Sequence, residues 1–373
     1  MALRTPYFKV TIEGVDVTTW VDSVSVTEDD KQADNIALSI PDPRMIYADA
    51  IFEGSLCEVD LGYATADQHA LMIRATLTKV ELSYPDSGVP TLAIQGEDKS
   101  IEMGYEEKKK VHRGRTLSAI VHDVVDPYGF AGGVSFGISP DPRIGAGYIH
   151  QDGKTDLAFL QELAEKYKAK CFVELDENGS EVFYFIPERR VVKLRRPDEL
   201  VLQYRLGPTS NLVAFSPTFD TTYVDRQKQI ADLDAHAKPV QSQQPPPSEV
   251  VIWRLDQDRL APASGDDRQR IGTLYDRGSD KKRKQQQQLQ KPRPGVGEVA
   301  QGQGDVDAQD LQLESRRLGM SAQGSTTGSI WLRAKAIVTI AGISSRFNGR
   351  WYVTSVTHKI DGSGYKSDFK CVR

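Results

Sequence analysis

With 373 residues, 39% hydrophobic and 27% charged, the chain is long enough for two or three domains that each bury a core. A formal net charge of −5 argues against a dedicated nucleic-acid binder, whose affinity comes from Lys and Arg neutralising phosphates. No apolar core follows Met1 and no run approaches the roughly 20 apolar residues of a membrane span, so neither a secretory leader nor membrane insertion is expected.

From Tyr7 to about Asp98, short apolar alternations are broken by turn residues. Phe8, Val10 and Ile12 alternate with Lys9 and Thr11 before Gly14; Val24 and Val26 alternate with Ser25 and Thr27. Ile36, Leu38 and Ile40 run into Pro41-Asp42-Pro43, and Val59, Leu61, Ile73, Leu77, Val80 and Leu82 follow. Period-2 patterning at this spacing predicts a small β-barrel-like domain over 1–105. The period then changes. Thr116 is placed to cap a helix carrying Leu117, Ile120, Val121 and Val124 on one face, and Thr155 or Asp156 opens a second helix lined by Leu157, Leu160, Ala164 and Tyr167. Cys171–Leu175 and Val182–Ile186 flank Asn178-Gly179, a hairpin signal, so 106–190 reads as an α+β unit.

Strand-like sequence resumes at Glu199–Tyr204 and Leu212–Phe219, then gives way to a low-complexity insertion over 226–305. Its Gln241-Ser-Gln-Gln-Pro-Pro-Pro247 and Gln285–Gln288 cannot bury enough apolar surface to offset chain entropy, so extended or disordered chain is expected. Two features stand out in it. Val250, Val251, Ile252 and Trp253 form an apolar break suited to anchoring on a partner, and Lys281, Lys282, Arg283 and Lys284 form a basic run suited to an acidic partner or DNA. Beyond it, Ala308, Leu311, Ser315 and Leu318 suit a helix, and Trp331–Ile340, Trp351–Ile360 and Tyr365–Val372 read as strands. Together with 191–225, residues 306–373 give a second β-barrel-like domain. The fold class is therefore mainly β with an α+β unit between two β domains, although no internal repeat is visible.

Reactive constellations are not found. Glu162 with Glu165 and Glu97 with Asp98 lack a glycosidase context, and a solvated helix face and a turn explain them better. His69, His112, His122, His150, His236 and His358 show no i, i+4 metal spacing; His358 in a β run is read as a hydrogen-bonded structural residue. Cys57, Cys171 and Cys371 are few and far apart, as buried thiols rather than a disulfide or zinc framework. Gly145-Ala-Gly147 is no nucleotide loop, and a calcium loop opening at Asp305 would need Glu where Arg316 stands. No enzyme activity, cofactor or metal is expected.

Three stretches carry a resemblance. They are Phe8–Pro43 ending Ile36-Ala-Leu-Ser-Ile-Pro-Asp-Pro43; Gln151-Asp-Gly-Lys-Thr-Asp-Leu-Ala-Phe-Leu-Gln-Glu-Leu-Ala-Glu-Lys-Tyr167; and Gly349-Arg-Trp-Tyr-Val-Thr-Ser-Val-Thr-His358 followed by Gly364-Tyr-Lys-Ser-Asp-Phe369. In this order they resemble the phage late control protein D family, the baseplate hub proteins of contractile phages and contractile injection systems. The family often has Pro-Gly before the strand at Ala336–Ile340, where this chain has Ala334-Lys335. The resemblance implies a homotrimer with two β domains per subunit, joining a hexameric tail tube to a trimeric central spike. It also implies contact with baseplate wedge and tape measure proteins, and a place in a virion tail or injection particle assembled in the bacterial cytoplasm. The alternatives are a tail-associated peptidoglycan hydrolase, or a protein contacting DNA or the tape measure through Lys281–Lys284.

Overall fold

The alternations of the first hundred residues fold as β1 (Pro6–Ile12), a two-residue β2 (Val15–Asp16), β3 (Ser23–Asp29), β4 (Asn35–Pro41), β5 (Leu56–Tyr63), a 15-residue β6 (His69–Ser83) and β7 (Thr91–Glu97). In β3 and β4 the apolar Val24, Val26, Ile36 and Leu38 point inward and the intervening Ser25, Thr27 and Ala37 are partly or fully exposed, as the pleat requires. A computed structural model describes residues 5–65, 68–142, 148–167, 169–188, 190–191, 200–205, 210–219, 228–230, 232–233, 239–240, 262–289, 293–295 and 320–373.

The middle unit comprises β8 (Glu107–Arg113), α1 (Leu117–Val125), β9 (Val134–Phe136), β10 (Tyr148–Thr155), α2 (Asp156–Lys166), β11 (Ala169–Leu175) and β12 (Glu181–Pro187). Both helices start at a threonine: Thr116 Oγ1 accepts from Ala119 N at 3.3 Å and Thr155 Oγ1 from Ala158 N at 3.2 Å. The hairpin turn closes on Asp176 Oδ1, which accepts from Asn178 N and Ser180 N, both at 2.8 Å, with Gly179 at φ +74°. Strands β8 and β10 pair antiparallel, and β9 adds to β12 in parallel.

After β13 (Leu200–Gln203) and β14 (Leu212–Phe219) come short backbone pieces, β15 (Lys228–Ile230), β16 (Asp232–Leu233) and β17 (Pro239–Val240). Then follow α3 (Gly265–Leu289) and β18 (Arg293–Gly295). Helix α3 corrects the expectation of extended or disordered chain through 226–305. Its Arg, Lys, Gln and Leu residues have high helix propensity, and Ser264 Oγ caps it by accepting from Asp267 N at 3.2 Å. The helix expected around Ala308–Leu318 lies outside the described residues. The chain ends with β19 (Met320–Thr327), β20 (Ile337–Ala341), β21 (Gly349–Asp361) and β22 (Gly364–Val372). Strand β19 was not expected, and Trp331, expected in a strand, sits half-exposed in the turn before β20.

Thirteen strands form one sheet whose path runs β14-β19-β22-β21-β3-β4-β7-β6-β5-β1-β2, with β20 on β21 and β13 on β20. The path is two copies of one module. In the first, neighbours follow β3-β4-β7-β6-β5-β1; in the second, β14-β19-β22-β21-β20-β13. Numbering the six strands of each module along the chain, both read 2-3-6-5-4-1. They differ at the last pair, antiparallel between β1 and β5 and parallel between β13 and β20.

The correspondence extends to single residues. Strand 5 carries a bulge in each module, between Leu77 and Lys79 in the first and between Val353 and Ser355 in the second. Thr78 Oγ1 donates to Gln95 O (3.4 Å) as Thr354 Oγ1 donates to Lys370 O (3.2 Å). Just before the bulge, Gly54 N and Lys335 N donate to Leu77 O and Val353 O at 2.7 and 2.8 Å, both from a left-handed backbone with φ +85° and +63°. Lys335 is thus an L residue where the other module has glycine.

Among the described residues there are three large apolar clusters, besides a small one of Phe172, Ile186 and Val191. One lies within the first module and takes in Ile330, Ile360 and Tyr365 from the second; one packs α1 and α2 against Phe183 and Phe185; one surrounds Trp351, Val353, Val356 and Phe369. Among the described residues no helix is long and apolar enough to cross a membrane.

Candidate functional site

The acidic run at the end of β3 organises the place where all three units meet. Residues Val24–Asp29 pair antiparallel with Ile360–Ser355 of β21, and Thr27 Oγ1 lies 3.1 Å from Thr357 Oγ1 across the joint. Glu28, 1% exposed, reaches under this ladder to the turn before β20, where its Oε2 accepts from Ala334 N at 3.0 Å and its other oxygen pairs with Arg333 Nε. Arg333 Nη2 also donates to Glu174 Oε1 of β11 at 2.8 Å. One guanidinium therefore ties the first module, the middle unit and the second module together.

A second bridge lies alongside. Lys335, fully buried, holds its Nζ 3.4 Å from Asp34 Oδ1 and 4.9 Å from the Phe172 ring centroid. Asp34 Oδ1 accepts from Asp29 N at 3.0 Å, while Asp34 N donates to Asp98 Oδ2 at 2.7 Å. Lys170 Nζ reaches Asp30 Oδ2 at 2.9 Å. Lys170, Phe172 and Glu174 alternate along β11, so one face of that strand supplies the middle unit's share. Burial pushes the Asp34 carboxyl up to about 6 against the opposing pull of Lys335, and burial likewise raises Asp98. This seam holds carboxylates and cations in pairs.

His358 sits beside it, fully buried, with Nδ1 2.9 Å from Ser367 Oγ and 3.0 Å from Tyr365 Oη, the hydrogen-bonded structural role expected of it. Burial pushes its imidazole from 6.5 down to about 4, against the raising effect of Glu28 and with the lowering effect of Arg333. The folded chain thus binds fewer protons here than the unfolded chain. The contribution is complete above pH 6.5 and is lost as pH falls toward 4. Relative to His358→Asn, the wild type is expected to lose about 3 kcal/mol of stability between pH 7 and pH 4. Urea denaturation at both pH values checks this, and parallel pH profiles for the two proteins would refute it.

Among the strand edges left unpaired in the described residues, two belong to the large sheet's repeated modules. No ladder covers the outer edge of β14, and β5 leaves β6 at Thr76, so Lys79–Ser83 pair only with β7. Val80 N on that edge meets only the Glu53 carboxylate, at 3.4 Å. Leu82, Tyr84 and Val89 at this tip are 41%, 59% and 49% exposed. Neither these edges nor the seam is singled out by the sequence; for the β6 edge the visible signal is the alternation of Val80 and Leu82.

The residues that were singled out lie elsewhere. Val250, Val251, Ile252 and Trp253 are outside the described residues. Lys281, Lys282, Arg283 and Lys284 lie on α3, where Lys281, Arg283 and Lys284 are exposed and Arg283 pairs with Asp280 at 3.0 Å. Glu162 is exposed and pairs with Lys154, and Asp98 caps a 3-10 turn by accepting from Ser100 N at 2.7 Å. Cys57 and Cys371 are buried and Cys171 is half-buried; burial pushes the thiols of Cys57 and Cys171 up to about 12.

No family profile and no curated protein matches the sequence. Solved structures share its fold at low identity. The 43 kDa tail protein of prophage MuSo2 from Shewanella oneidensis is 15% identical with a TM-score of 0.60, over 99% of this chain and 98% of that one. A tail protein from Neisseria meningitidis MC58 is 12% identical with a TM-score of 0.63, over 99% and 97%. The Escherichia coli c3393 protein is 12% identical with a TM-score of 0.58, over 98% of this chain and 76% of that one. It is described as a component of the type VI secretion system, structurally similar to the T4 bacteriophage tail proteins gp27 and gp5. The chain therefore has a tail-protein fold, mainly β.

Proposed function

We propose, from the tail-protein fold as premise, that this chain is a structural baseplate hub. In this reading it forms a homotrimer that joins a hexameric tail tube to a trimeric central spike and opens the tube channel. The observation that carries the reading is the duplicated module: two strand sets of identical order, locked in one chain through the β3–β21 joint. Three such chains supply six like positions while keeping three-fold symmetry, which is what a ring between six-fold and three-fold partners needs. We read the modules as domains 1–105 and 191–225 plus 306–373, the middle unit as 106–190 and the insertion as 226–305.

The seam supports the same role. Its paired charges stiffen the subunit, as suits a part that bears load without turning over substrate. We read the chain as non-enzymatic, located in a virion tail or injection particle, with the tube, spike, wedge and tape measure proteins as partners. Exposed Lys281, Arg283 and Lys284 on α3 favour a basic contact there with an acidic partner surface, and Val250–Trp253 remain the proposed apolar anchor.

Sedimentation of the purified full chain is expected to give a trimer of 41.4 kDa subunits, and electron microscopy a ring with a central channel. A stable monomer at assembly concentrations would overturn the hub reading, and cell-wall clearing lost on mutating Glu162 would replace it with a hydrolase.

A further inference from the structure

The internal joint follows a rule that one chain satisfies only once. Strand 2 of the first module, β3, lies along the hairpin half of strand 5 of the second, β21, just beyond where strand 4 stops. Strand 2 of the second module is β14, which ends the sheet path with its outer edge open among the described residues. Strand 5 of the first module is β6, and its hairpin half beyond β5 is open too. The two unused elements are therefore the two halves of the same joint.

We infer that subunits associate head to tail by pairing β14 of one copy antiparallel with Lys79–Tyr84 of the next, in the register of the internal joint. The inference rests on the ring reading above and names the edges that close it. The bulges make Thr357 and His358 equivalent to Glu81 and Leu82; the ladders of β4 to β7 and β19 to β22 make Val26 and Thr27 equivalent to Pro217 and Thr218. Transferring the register sets Phe219 opposite Val80, Pro217 opposite Leu82 and Phe215 opposite Tyr84. The other face sets Thr218 opposite Glu81 and Ser216 opposite Ser83.

Apolar residues thus meet apolar ones on one face and polar meet polar on the other, as directly opposed cross-strand positions require. The exposure difference points the same way. Val356 and His358, covered by the internal joint, are fully buried, while Leu82 at the equivalent place is 41% exposed and Val80 is half-buried. An open, apolar strand edge of this kind is a template for another strand. Pro217 has no N–H to donate, so the joint between subunits carries one ladder bond fewer than the internal one and is the weaker of the two. The joint is heterologous, so repetition closes a ring in which all module contacts are alike.

The test uses the full chain with Glu81→Cys and Thr218→Cys together. Their internal counterparts, Thr357 and Thr27, bring hydroxyls within 3.1 Å, and unpaired-ladder positions of this kind suit a disulfide. Mild oxidation with oxidised glutathione is expected to give covalent dimer and trimer on non-reducing gels. The yield should be at least about tenfold above an off-register control carrying Glu81→Cys with Ser216→Cys. The native thiols are largely buried and contribute little background. A trimer in sedimentation without cross-linking above the control would overturn the edge pairing and leave the ring standing. A monomer without cross-linking would overturn both.

Discussion

Replacing Arg333 with Met is expected to destabilise the folded chain by about 3–5 kcal/mol, the usual cost of removing one partner of a buried ion pair. The side chain is 18% exposed, Glu28 is 1% exposed and Glu174 10%, so water screens little of the loss. Both carboxylates would stay behind without the guanidinium that neutralises them, and the joint between the modules would lose its strap to β11. Urea denaturation followed by circular dichroism reads the change. Adding Glu28→Gln should recover part of it, because residues in one network couple. A loss below about 1 kcal/mol would mean that the pair behaves as a surface one.

Lys335→Gly is expected to cost about 2–4 kcal/mol, less than the 3–5 kcal/mol of Lys335→Met, because two effects oppose. The left-handed backbone at φ +63° strains any L side chain by about 1–2 kcal/mol, and glycine removes that strain as Gly54 does in the first module. Glycine and methionine alike remove the ammonium from Asp34 and from the Phe172 face. The expected order of stability is wild type, then Gly, then Met. Asp34 without Lys335 rises further above 6 and takes up a proton more readily, so both losses should shrink at pH 5 relative to pH 8. If the glycine variant is as stable as the wild type, the bridge does not hold the seam.

The strands of the first module and helices α1 and α2 were legible because their burial follows sequence period: Val24, Val26, Ile36 and Leu38 on strands, Leu117, Ile120, Val121 and Val124 on a helix. Strand β19 was not, because after Met320 its inward positions and the residue that follows the strand are small and lie against rings. A Cβ on Gly324 would come within 2.4 Å of Phe369, and one on Gly328 within 2.0 Å of Tyr365. Strand β8 was hidden by its run of lysines, of which Lys109 and Lys110 are exposed, and α3 by a composition that read as unstructured. The internal repeat was not visible because its few identities, Thr78 with Thr354 and Val80 with Val356, are scattered among mismatches such as Gly54 with Lys335 and Leu82 with His358. The seam could not be read because buried charges look like surface charges until their partners, about 300 positions away, are brought to them. Its one visible sign was the departure at Ala334-Lys335, where Lys335 takes a left-handed backbone and faces Asp34.

The β3–β21 ladder also sets a schedule. Its partners lie 330 positions apart, so a ribosome adding roughly 5–20 residues per second exposes β3 for roughly 15–70 s before its cover exists. Throughout that wait the nascent edge ends in Glu28, Asp29 and Asp30, whose mutual repulsion discourages neighbouring chains on a polysome from pairing there. The carboxylates that later anchor the finished joint would then already have served as its guard during translation.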